Sequence, residues 1–437
     1  MIWTSLDTWI VTAAALAGAA CALVGAFLVL EKISLMGDAI SHGVLPGIAV
    51  AFIITGSRHG APLFIGAAIV GILVSVLVHL VRRYGRLENG AAMGVVFTVL
   101  FAVGLILIEQ ASRHVDIHPD HVLFGAVELV PLTLTAIGRF EVPQGVIVLV
   151  VVLFVDLVVV AVFFKELRLV TFDPGLATTL GINASWMHYL LMTLVALTTV
   201  AVFEVVGSIL VIAMLIVPGA IAHLLTRRLL PFLAVSVGVA VAAALLGHIA
   251  AITVPPWFGF EDTSTAGSMA TVLGLFFFAA FLLAPEQGLI ARAWSRIRLR
   301  MTILSQDVLG LLARRIERTD EIESGISVGE FPAIDQSPFA PDGRGLRVAL
   351  IVLMSRGLVR RDSGRYRLTE RGLAEASRVL EVHRLWERFL NDVGSSGPAG
   401  MHPAADYLEH YTDPALQEAL RQQLSDPTHD PRRTRGA

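Results

Sequence analysis

The stretch SLMGDAISHGVLPGIAVAF, residues 34–52, is apolar enough to lie inside a lipid bilayer, yet it contains Asp38 and His42. About 20 apolar residues in a helix span the ~30 Å hydrocarbon core of a membrane. Residues four apart share one face of a helix, so the carboxylate and the imidazole are stacked one turn apart. An ionisable side chain at this depth costs about 3 kcal/mol to insert and normally marks a pathway or a partner. Both side chains are therefore candidate ligands of one ion.

Two interpretations of this pair remain open. It can be a hydrogen-bonded pair that only fixes neighbouring helices, and Ser34 and Ser41 could join it. It can also belong to a metal path, because one carboxylate with one imidazole suits Mn(II), Fe(II) or Zn(II), whereas Cu(I) prefers thiolates. Gly43 and Gly47 permit close helix approach, and Pro46 interrupts the helical hydrogen bonds and frees backbone carbonyls.

The composition indicates a membrane protein. Of the 437 residues 55% are hydrophobic and 16% are charged, and the mean hydropathy is +0.73, which is too apolar for a soluble protein. The single cysteine, Cys21, excludes a disulfide framework and a thiolate metal cluster. The N-terminus has no basic region followed by a small-residue cleavage site, so we expect the first apolar run to be retained as a transmembrane helix.

The distribution of charge predicts a domain boundary near residue 300. Residues 301–437 carry 38 of the 69 Asp, Glu, Lys and Arg residues in under a third of the length. Neither part has a large net charge, which gives no sign of a nucleic-acid or acidic-lipid binder from net charge alone. The predicted domains are a transmembrane domain (1–290), a basic linker (291–300), a winged-helix-like region (301–375) and a helical dimerisation or metal-binding region (376–437).

Nine apolar runs are long enough to span a bilayer, although eight spans are also compatible with the pattern. They lie near 9–30, 35–55, 62–82, 92–110, 144–164, 187–203, 206–226, 231–252 and 266–284. With nine spans, the basic residues between them fall on one side, which the positive-inside rule assigns to the cytoplasm. These residues are Arg82, Arg83, Arg86, Lys165, Arg168, Arg227, Arg228, Arg292, Arg296, Arg298 and Arg300. The expected fold is therefore an all-α polytopic membrane protein with an outer N-terminus and a small cytoplasmic C-terminal domain.

Three segments together resemble a known family. GDAISHGVLPGIAVAF (37–52), FDPGLATTLGI (172–182) and VVGSILVIAMLIVPGAIAHLL (205–225) are similar to the permease subunits of ABC-type importers for manganese, iron and zinc. The resemblance implies a homodimeric or heterodimeric permease in the bacterial cytoplasmic (inner) membrane. It also implies a separate cytoplasmic ATPase and an extracytoplasmic metal-binding protein that delivers the ion. The chain has no GxxxxGK[ST] phosphate-binding loop, so we expect the partner to hydrolyse ATP.

The segment 172–182 is predicted to contact that ATPase. Asp173 can cap a short helix that starts at Pro174, and Gly181 can end it. Its apolar side, formed by Leu176, Ala177 and Leu180, can dock in a groove of a partner, although an ordinary interfacial helix would have the same pattern. The predicted coupling residues are Asp173, Pro174, Gly175, Leu176, Ala177, Leu180 and Gly181.

A polar segment on the predicted outer side, HVDIHPDHVLFG at 114–125, is a candidate metal entry point. Its candidate ligands include His114, Asp116, His118 and His121. A docking loop for the delivery protein is an equally good interpretation. Three further intramembrane polar residues, Asp156, Glu204 and His248, are expected to pair between helices rather than to line the path.

The C-terminal part resembles metal-dependent repressors of the diphtheria-toxin-repressor type. RGLVRRDSGRYRLTERGLAEASRVL (356–380) and HRLWERFL (383–390) carry the resemblance. It implies a regulatory metal site formed by Asp307, His383, Glu387, His402, Asp406, Glu409 and His410. The spacing agrees, because His383 and Glu387 are four residues apart on one helix. These nitrogen and oxygen ligands suit Mn or Fe. The alternative is a solvated helix face with ion pairs that involve Arg384, Glu387 and Arg388.

DNA recognition is the part of this resemblance that fits least. The helix that would enter the major groove, GLRVALIVLMSRGLV at 345–359, has Ala349, Ile351 and Val352 where repressors have polar residues that contact bases or phosphates. An arginine-rich wing keeps phosphate contact possible. The favoured function is a metal importer permease, not an enzyme, with a metal-sensing extension. The alternative is a membrane-tethered, metal-dependent DNA-binding regulator fused to a permease.

Overall fold

The structure of the protein is a computed structural model. It describes residues 3–56, 61–112, 127–137, 140–259, 263–319, 325–331, 343–393, 405, 408 and 412–425. The chain divides into two compact units, Met1–Ala291 and Arg292–Ala437.

The first unit is a bundle of helices. Its helices are α1 (Ser5–Leu30), α2 (Met36–Gly43), α3 (Leu45–Thr55), α4 (Ala61–Gly85), α5 (Asn89–Ser112), α6 (Gln144–Val162), α7 (Phe164–Phe172), α8 (Pro174–Thr179), α9 (Ala184–Val206), α10 (Ser208–Leu225), α11 (Leu229–Thr253) and α12 (Thr265–Leu283). A short hairpin, β1 (Leu134–Ile137) with β2 (Phe140–Pro143), and two 3₁₀ turns, Val127–Leu132 and Pro255–Phe258, lie in the connections.

Eight segments of the described chain are long and apolar enough to cross a membrane, counting α2 and α3 as one. Helix α10, which corresponds to the remaining predicted span, is a shorter apolar helix. Its 18 residues reach about 27 Å at 1.5 Å per residue, close to the thickness of the hydrocarbon core. The predicted class, an all-α polytopic membrane protein with eight or nine spans, is confirmed.

Helix α1 occupies the centre of the bundle. It packs against α6, α9, α10 and α11, and most of its second half is buried. The approach to α10 is so close that a Cβ atom on Gly25 would lie 2.1 Å from the Leu215 carbonyl oxygen. At its N-terminus, Thr4 and Asp7 form a capping box that satisfies two backbone amides.

Intramembrane polar residues pair between helices, as expected for Asp156 and His248. The Thr198 hydroxyl of α9 lies 3.0 and 2.9 Å from the two carboxylate oxygens of Asp156 in α6. The Nε2 atom of His248 in α11 lies 3.1 Å from the Asp7 carboxylate of α1. Glu204 is exposed.

The second unit has the helix, helix and hairpin order of a winged-helix-like domain. Its elements are α13 (Leu289–Thr319), β3 (Ile326–Ser327), α14 (Gly343–Ser355), β4 (Val359–Asp362), β5 (Arg365–Leu368), α15 (Glu370–Val393) and α16 (Pro414–Ser425). The strands form an antiparallel sheet in the order β3-β5-β4. Ser363 and Gly364, both with positive φ, form the two-residue turn between β4 and β5, as hairpin turns of type I′ require. Residues 291–300, the predicted linker, belong to helix α13.

Candidate metal translocation site and coupling helix

The predicted second span is formed by two helices rather than one. Helix α2 ends at Gly43 and α3 starts at Leu45, so Pro46 lies in the first turn of α3. Pro46 has no amide hydrogen to donate to the His42 carbonyl, and the Gly47 amide donates to the Val44 carbonyl at 2.9 Å, three residues back. The helical ladder is therefore interrupted immediately after His42, where the sequence predicts it.

Asp38 and His42 lie together on α2. The Nε2 atom of His42 is 3.4 Å from Oδ1 of Asp38, and the side chains are 25% and 33% exposed, respectively. The His42 ring contacts Phe97 and Phe101 of α5, with ring centroids 6.2 and 5.8 Å apart. The buried Ser41 hydroxyl donates to the Asp38 carbonyl at 2.9 Å. The aromatic rings restrict the imidazole, while the partial exposure leaves room for a bound ion.

His42 lies near the middle of the bundle along its long axis, and Asp38 lies one helical turn closer to the start of α2. A Cβ atom on Gly43 would lie 2.7 Å from a methyl group of Val74, and Val74 is close to the midpoint of α4. Further along, a Cβ atom on Gly47 would lie 2.2 Å from the Gly66 carbonyl oxygen. The glycines of α2 and α3 therefore allow backbone contact with α4, which holds His42 at this depth.

The contact between Gly47 and Gly66 gives the first testable prediction. Gly47→Ala should destabilise the membrane unit by about 1–3 kcal/mol, because overpacking a tight contact shifts the backbone. Gly94→Ala in α5 is the matched control, since a Cβ atom there has no neighbour within 4 Å. Thermal unfolding of both variants in detergent measures the difference. Equal midpoints would contradict the close packing of α3 on α4.

A second polar cluster, which the sequence did not predict, lies where α1 ends. The Nδ1 atom of His188 in α9 is 3.4 Å from Glu31, and the Thr171 hydroxyl of α7 donates to Glu31 at 3.3 Å. The His79 ring of α4 lies 6.3 Å from the His188 ring. We call Glu31, His79, Thr171 and His188 the Glu31 cluster.

A narrow cavity connects the Glu31 cluster with the start of α2. Its lining includes Met36, Ser75, His79 and His188, and its volume is about 20 Å³, enough for about one water molecule. The Nδ1 atom of His79 is buried and, within the described residues, lacks a hydrogen-bond partner. Polar groups therefore continue from the level of Asp38 towards the end of the bundle that carries the basic loops.

The predicted coupling segment forms α8 with both predicted caps. The Asp173 carboxylate accepts the Leu176 amide at 2.9 Å, and Pro174 is the first helical residue. At the other end Gly181 has φ +84°. The Gly181 amide donates to the Thr178 carbonyl and the Ile182 amide to the Ala177 carbonyl, the two bonds of a Schellman motif.

Helix α8 and its two flanking residues Phe172 and Leu180 expose an apolar ridge that differs from the predicted apolar side in two residues. Phe172, Leu176 and Leu180 are 60%, 47% and 62% exposed, whereas Ala177 is fully buried in the core of the membrane unit. Ala177 therefore anchors the helix instead of sharing its exposed side, and Phe172 extends that side. Thr171, next to Phe172, joins the ridge to the Glu31 cluster.

The predicted residues of the C-terminal site are only partly described. His383 and Glu387 contact each other on α15, with Nε2 and Oε1 3.1 Å apart, and His383 is buried. Asp307 lies on α13. His402, Asp406, Glu409 and His410 lie outside the described residues, as do His114, Asp116, His118 and His121 of the predicted entry segment. Among the residues that are described, no three His, Cys, Asp or Glu side chains are arranged to hold a metal ion.

Ion pairs connect α15 to α13 and to α16. Arg384 donates to Glu317 of α13 at 2.7 Å, and Arg421 of α16 donates to Glu381 at 2.6 Å. The hydrogen bond and the charge of Glu381 raise the pKa of Arg421. His383 is therefore presented from a helix that is held on two sides.

Comparison with known proteins identifies the family of the membrane unit. The family model described as "ABC 3 transport family" matches residues 6–284. The chain belongs to the ABC 3 transport family. A second family model, "Iron dependent repressor, metal binding and dimerisation domain", matches residues 369–435.

Relatives of this ABC 3 family member are transport proteins. The manganese transport system membrane protein MntD of Bacillus subtilis is 42% identical over 66% of this chain and 95% of its own length. The zinc transport system membrane protein TroD of Treponema pallidum is 34% identical over 85% of this chain and 98% of its own length. That alignment covers 373 residues, more than the membrane unit contains, so the likeness extends into the second unit.

A solved structure agrees with the fold of the membrane unit. PsaBC from Streptococcus pneumoniae, in complex with Fab, superposes with a TM-score of 0.53 and 31% identity, over 65% of this chain and 94% of that chain. The ABC 3 permease fold is thereby confirmed.

Proposed function

We propose that this chain is the membrane-spanning permease of an ATP-driven importer of a divalent transition metal. The observation that carries the proposal is the Asp38 and His42 pair, 3.4 Å apart and partly exposed, near mid-depth in a member of the ABC 3 transport family. An insertion cost at this depth is offset when the pair binds a cation. Manganese or iron is favoured and zinc is possible, because the same nitrogen and oxygen donors serve all three.

The ion is a substrate, and we propose no tightly bound cofactor in the membrane unit. It is delivered by an extracytoplasmic binding protein, for which His114, Asp116, His118 and His121 are the predicted entry point. It then contacts Asp38 and His42 and leaves past the Glu31 cluster. The partial exposure of the pair in a single chain supports a path that a second permease copy, identical or related, completes.

A separate cytoplasmic ATPase drives transport in this proposal. It would bind the ridge of Phe172, Leu176 and Leu180, with Asp173, Pro174, Gly175 and Gly181 shaping the helix. Motion of α8 would reach the ion path through Thr171 and Glu31, which are 3.3 Å apart. The ATPase side would then be the end with the basic loops. In this proposal the protein lies in a bacterial inner membrane and its C-terminal unit lies in the cytoplasm.

The C-terminal unit is proposed to sense imported metal. His383 and Glu387, with Asp307, His402, Asp406, Glu409 and His410 as the further predicted ligands, would bind Mn or Fe. A bound ion can regulate transport only if it prefers one conformation of the protein. The metal would therefore favour a state of the permease that does not transport.

DNA binding is not favoured as the role of this unit. The exposed side of α14, which would enter a major groove, includes Val348 and Ile351, which are 45% and 60% exposed. Such side chains offer no hydrogen bonds to base edges or phosphates. Isolation of specific DNA with the full chain in the presence of Mn or Fe would support the alternative of a tethered DNA-binding regulator.

Metal uptake by the full chain and by residues 1–300 tests the proposal. With its ATPase, and with the binding protein on the opposite side of the membrane, each should accumulate one of Mn, Fe or Zn in proteoliposomes, because the ion path lies wholly in the membrane unit. Uptake by the full chain, but not by residues 1–300, should slow when the same metal is present on the ATPase side. His383→Ala in the full chain should relieve that inhibition and serves as the matched variant.

Two outcomes would contradict it. Failure of both forms to move any of the three ions, although the permease is assembled with its ATPase and supplied with the binding protein, would overturn the transport function. Equal inhibition of the full chain, the truncated chain and His383→Ala would overturn the sensing role alone.

A further inference from the structure

The first half of α13 has an exposed apolar stripe. Ile290, Trp294 and Ile297 are 55%, 69% and 57% exposed, and their spacing of four and three residues puts them on one face of the helix. The same spacing continues through Met301, Leu304, Val308 and Leu311. Of these, Leu304, Val308 and Leu311 are buried in the core of the second unit. One stripe is thus covered in its second half and uncovered in its first half.

The charges on this half of the helix are all of one sign. Residues 289–306 contain Arg292, Arg296, Arg298 and Arg300 and no Asp or Glu. These arginines lie at the edges of the stripe and on the opposite face. An amphipathic helix with Trp and aliphatic residues on one face and arginines on the rest is typical of helices that lie in a membrane interface.

The position of the helix in the chain agrees with this pattern. Helix α12 ends at Leu283 and α13 starts at Leu289, so only five residues separate the last membrane span from the stripe. Basic clusters immediately after a span bind anionic lipid headgroups. Arginine stems can cover apolar surface while the guanidinium groups reach the headgroups, and tryptophan rings favour the interface itself.

We propose that residues 289–300 form a docking surface for the anionic lipid surface of the membrane that the permease spans. Ile290, Trp294 and Ile297 insert between acyl chains. Arg298, at the edge of the stripe, contacts phosphate groups, and Arg292 and Arg296 add positive charge to the same segment. A second copy of the helix is the less suitable occupant, because paired stripes would bring arginines together without acidic partners. The inference is independent of which metal is transported.

Spin labels on the full chain test this docking. Cys21 is the only cysteine of the chain and is fully buried, so a new exposed cysteine can be labelled selectively. Ile297→Cys reports the stripe, and Ser295→Cys, two residues away, reports the opposite side of the helix. In nanodiscs of equal parts phosphatidylglycerol and phosphatidylcholine, the label at 297 should be accessible to oxygen and protected from a water-soluble nickel complex. The label at 295 should show the reverse.

Replacing the arginines with glutamine tests whether docking depends on anionic lipid. Arg292→Gln, Arg296→Gln and Arg298→Gln together should shift the label at 297 towards nickel accessibility, as should nanodiscs of phosphatidylcholine alone. A readout without a new cysteine comes from brominated phosphatidylglycerol. This lipid should quench the tryptophan fluorescence of the full chain more than that of the Trp294→Phe variant, since Trp294 would lie within reach of the bromine atoms.

Three results would overturn the proposal. The first is equal accessibility of the labels at 297 and 295 to nickel in anionic nanodiscs, with no fluorescence quenching assigned to Trp294. Short-range dipolar broadening between two labels at 297 would identify a second copy as the occupant. Protection of the label by duplex DNA, but not by phosphatidylglycerol, would identify nucleic acid phosphates as the ligand.

Discussion

Replacing Asp38 with asparagine should lower metal uptake per assembled transporter at least about tenfold. Even loss of a residue that only orients a metal ligand costs about 10- to 100-fold in affinity, and Asp38 is proposed to contact the ion itself. Asparagine has nearly the same shape and can still hydrogen-bond to His42, which lies 3.4 Å away. The change therefore removes the charge while keeping the pair. His42→Gln should have a similar effect, because the imidazole nitrogen is the second ligand.

Asp156→Asn is the matched control for this prediction. Asp156 is also an intramembrane carboxylate, but it is fully buried and contacts the Thr198 hydroxyl. An amide oxygen can accept the same hydrogen bond, so uptake should stay close to that of the unchanged protein. Uptake of whichever of Mn, Fe or Zn the unchanged protein transports, measured in proteoliposomes with the binding protein present and normalised to the amount of ATPase-bound permease, compares both variants. A fully active Asp38→Asn would show that the pair only fixes helices, which is the structural interpretation of the motif.

The ease of predicting the Asp38 and His42 pair has a physical cause. Both residues lie on one short helix, so their spacing alone places them on one face. The break after His42 was predictable for the same reason, since Pro46 acts on its own chain four residues back. Caps are equally local, and Asp173 and Gly181 bound α8 as their residue types predict.

Features that depend on tertiary packing could not be predicted in this way. Glu31 and Thr171 are 140 residues apart, and no periodicity in a single segment relates them. The prediction that Ala177 shares the docking side of α8 was wrong. A six-residue helix is too short for its apolar pattern to distinguish a buried face from a docking face. In α13 the stripe indicates one apolar face, but only the packing of the second unit shows which half is covered.

Replacing the exposed leucines of α8 with aspartate should separate the permease from its ATPase. Leu176 and Leu180 are 47% and 62% exposed on a helix that two caps and the buried Ala177 hold in place. The few residues that dominate an interface cost about 2 kcal/mol or more when truncated, which is about 30-fold in affinity. A charged side chain in the apolar groove of the ATPase costs more, because it would have no partner there. Co-purification of the ATPase with Leu176→Asp and with Leu180→Asp, and ATP-dependent uptake, measure the loss.

Trp257→Asp is the control that makes this result specific to α8. Trp257 is 79% exposed in the 3₁₀ turn between α11 and α12, at the end of the bundle opposite to α8, so the same change from an apolar to a charged side chain meets no ATPase. That variant should retain the ATPase fully. If Leu176→Asp and Leu180→Asp also retained it and transported metal, α8 would be an ordinary interfacial helix. The route by which ATP hydrolysis reaches Asp38 and His42 would then have to start from another part of the membrane unit.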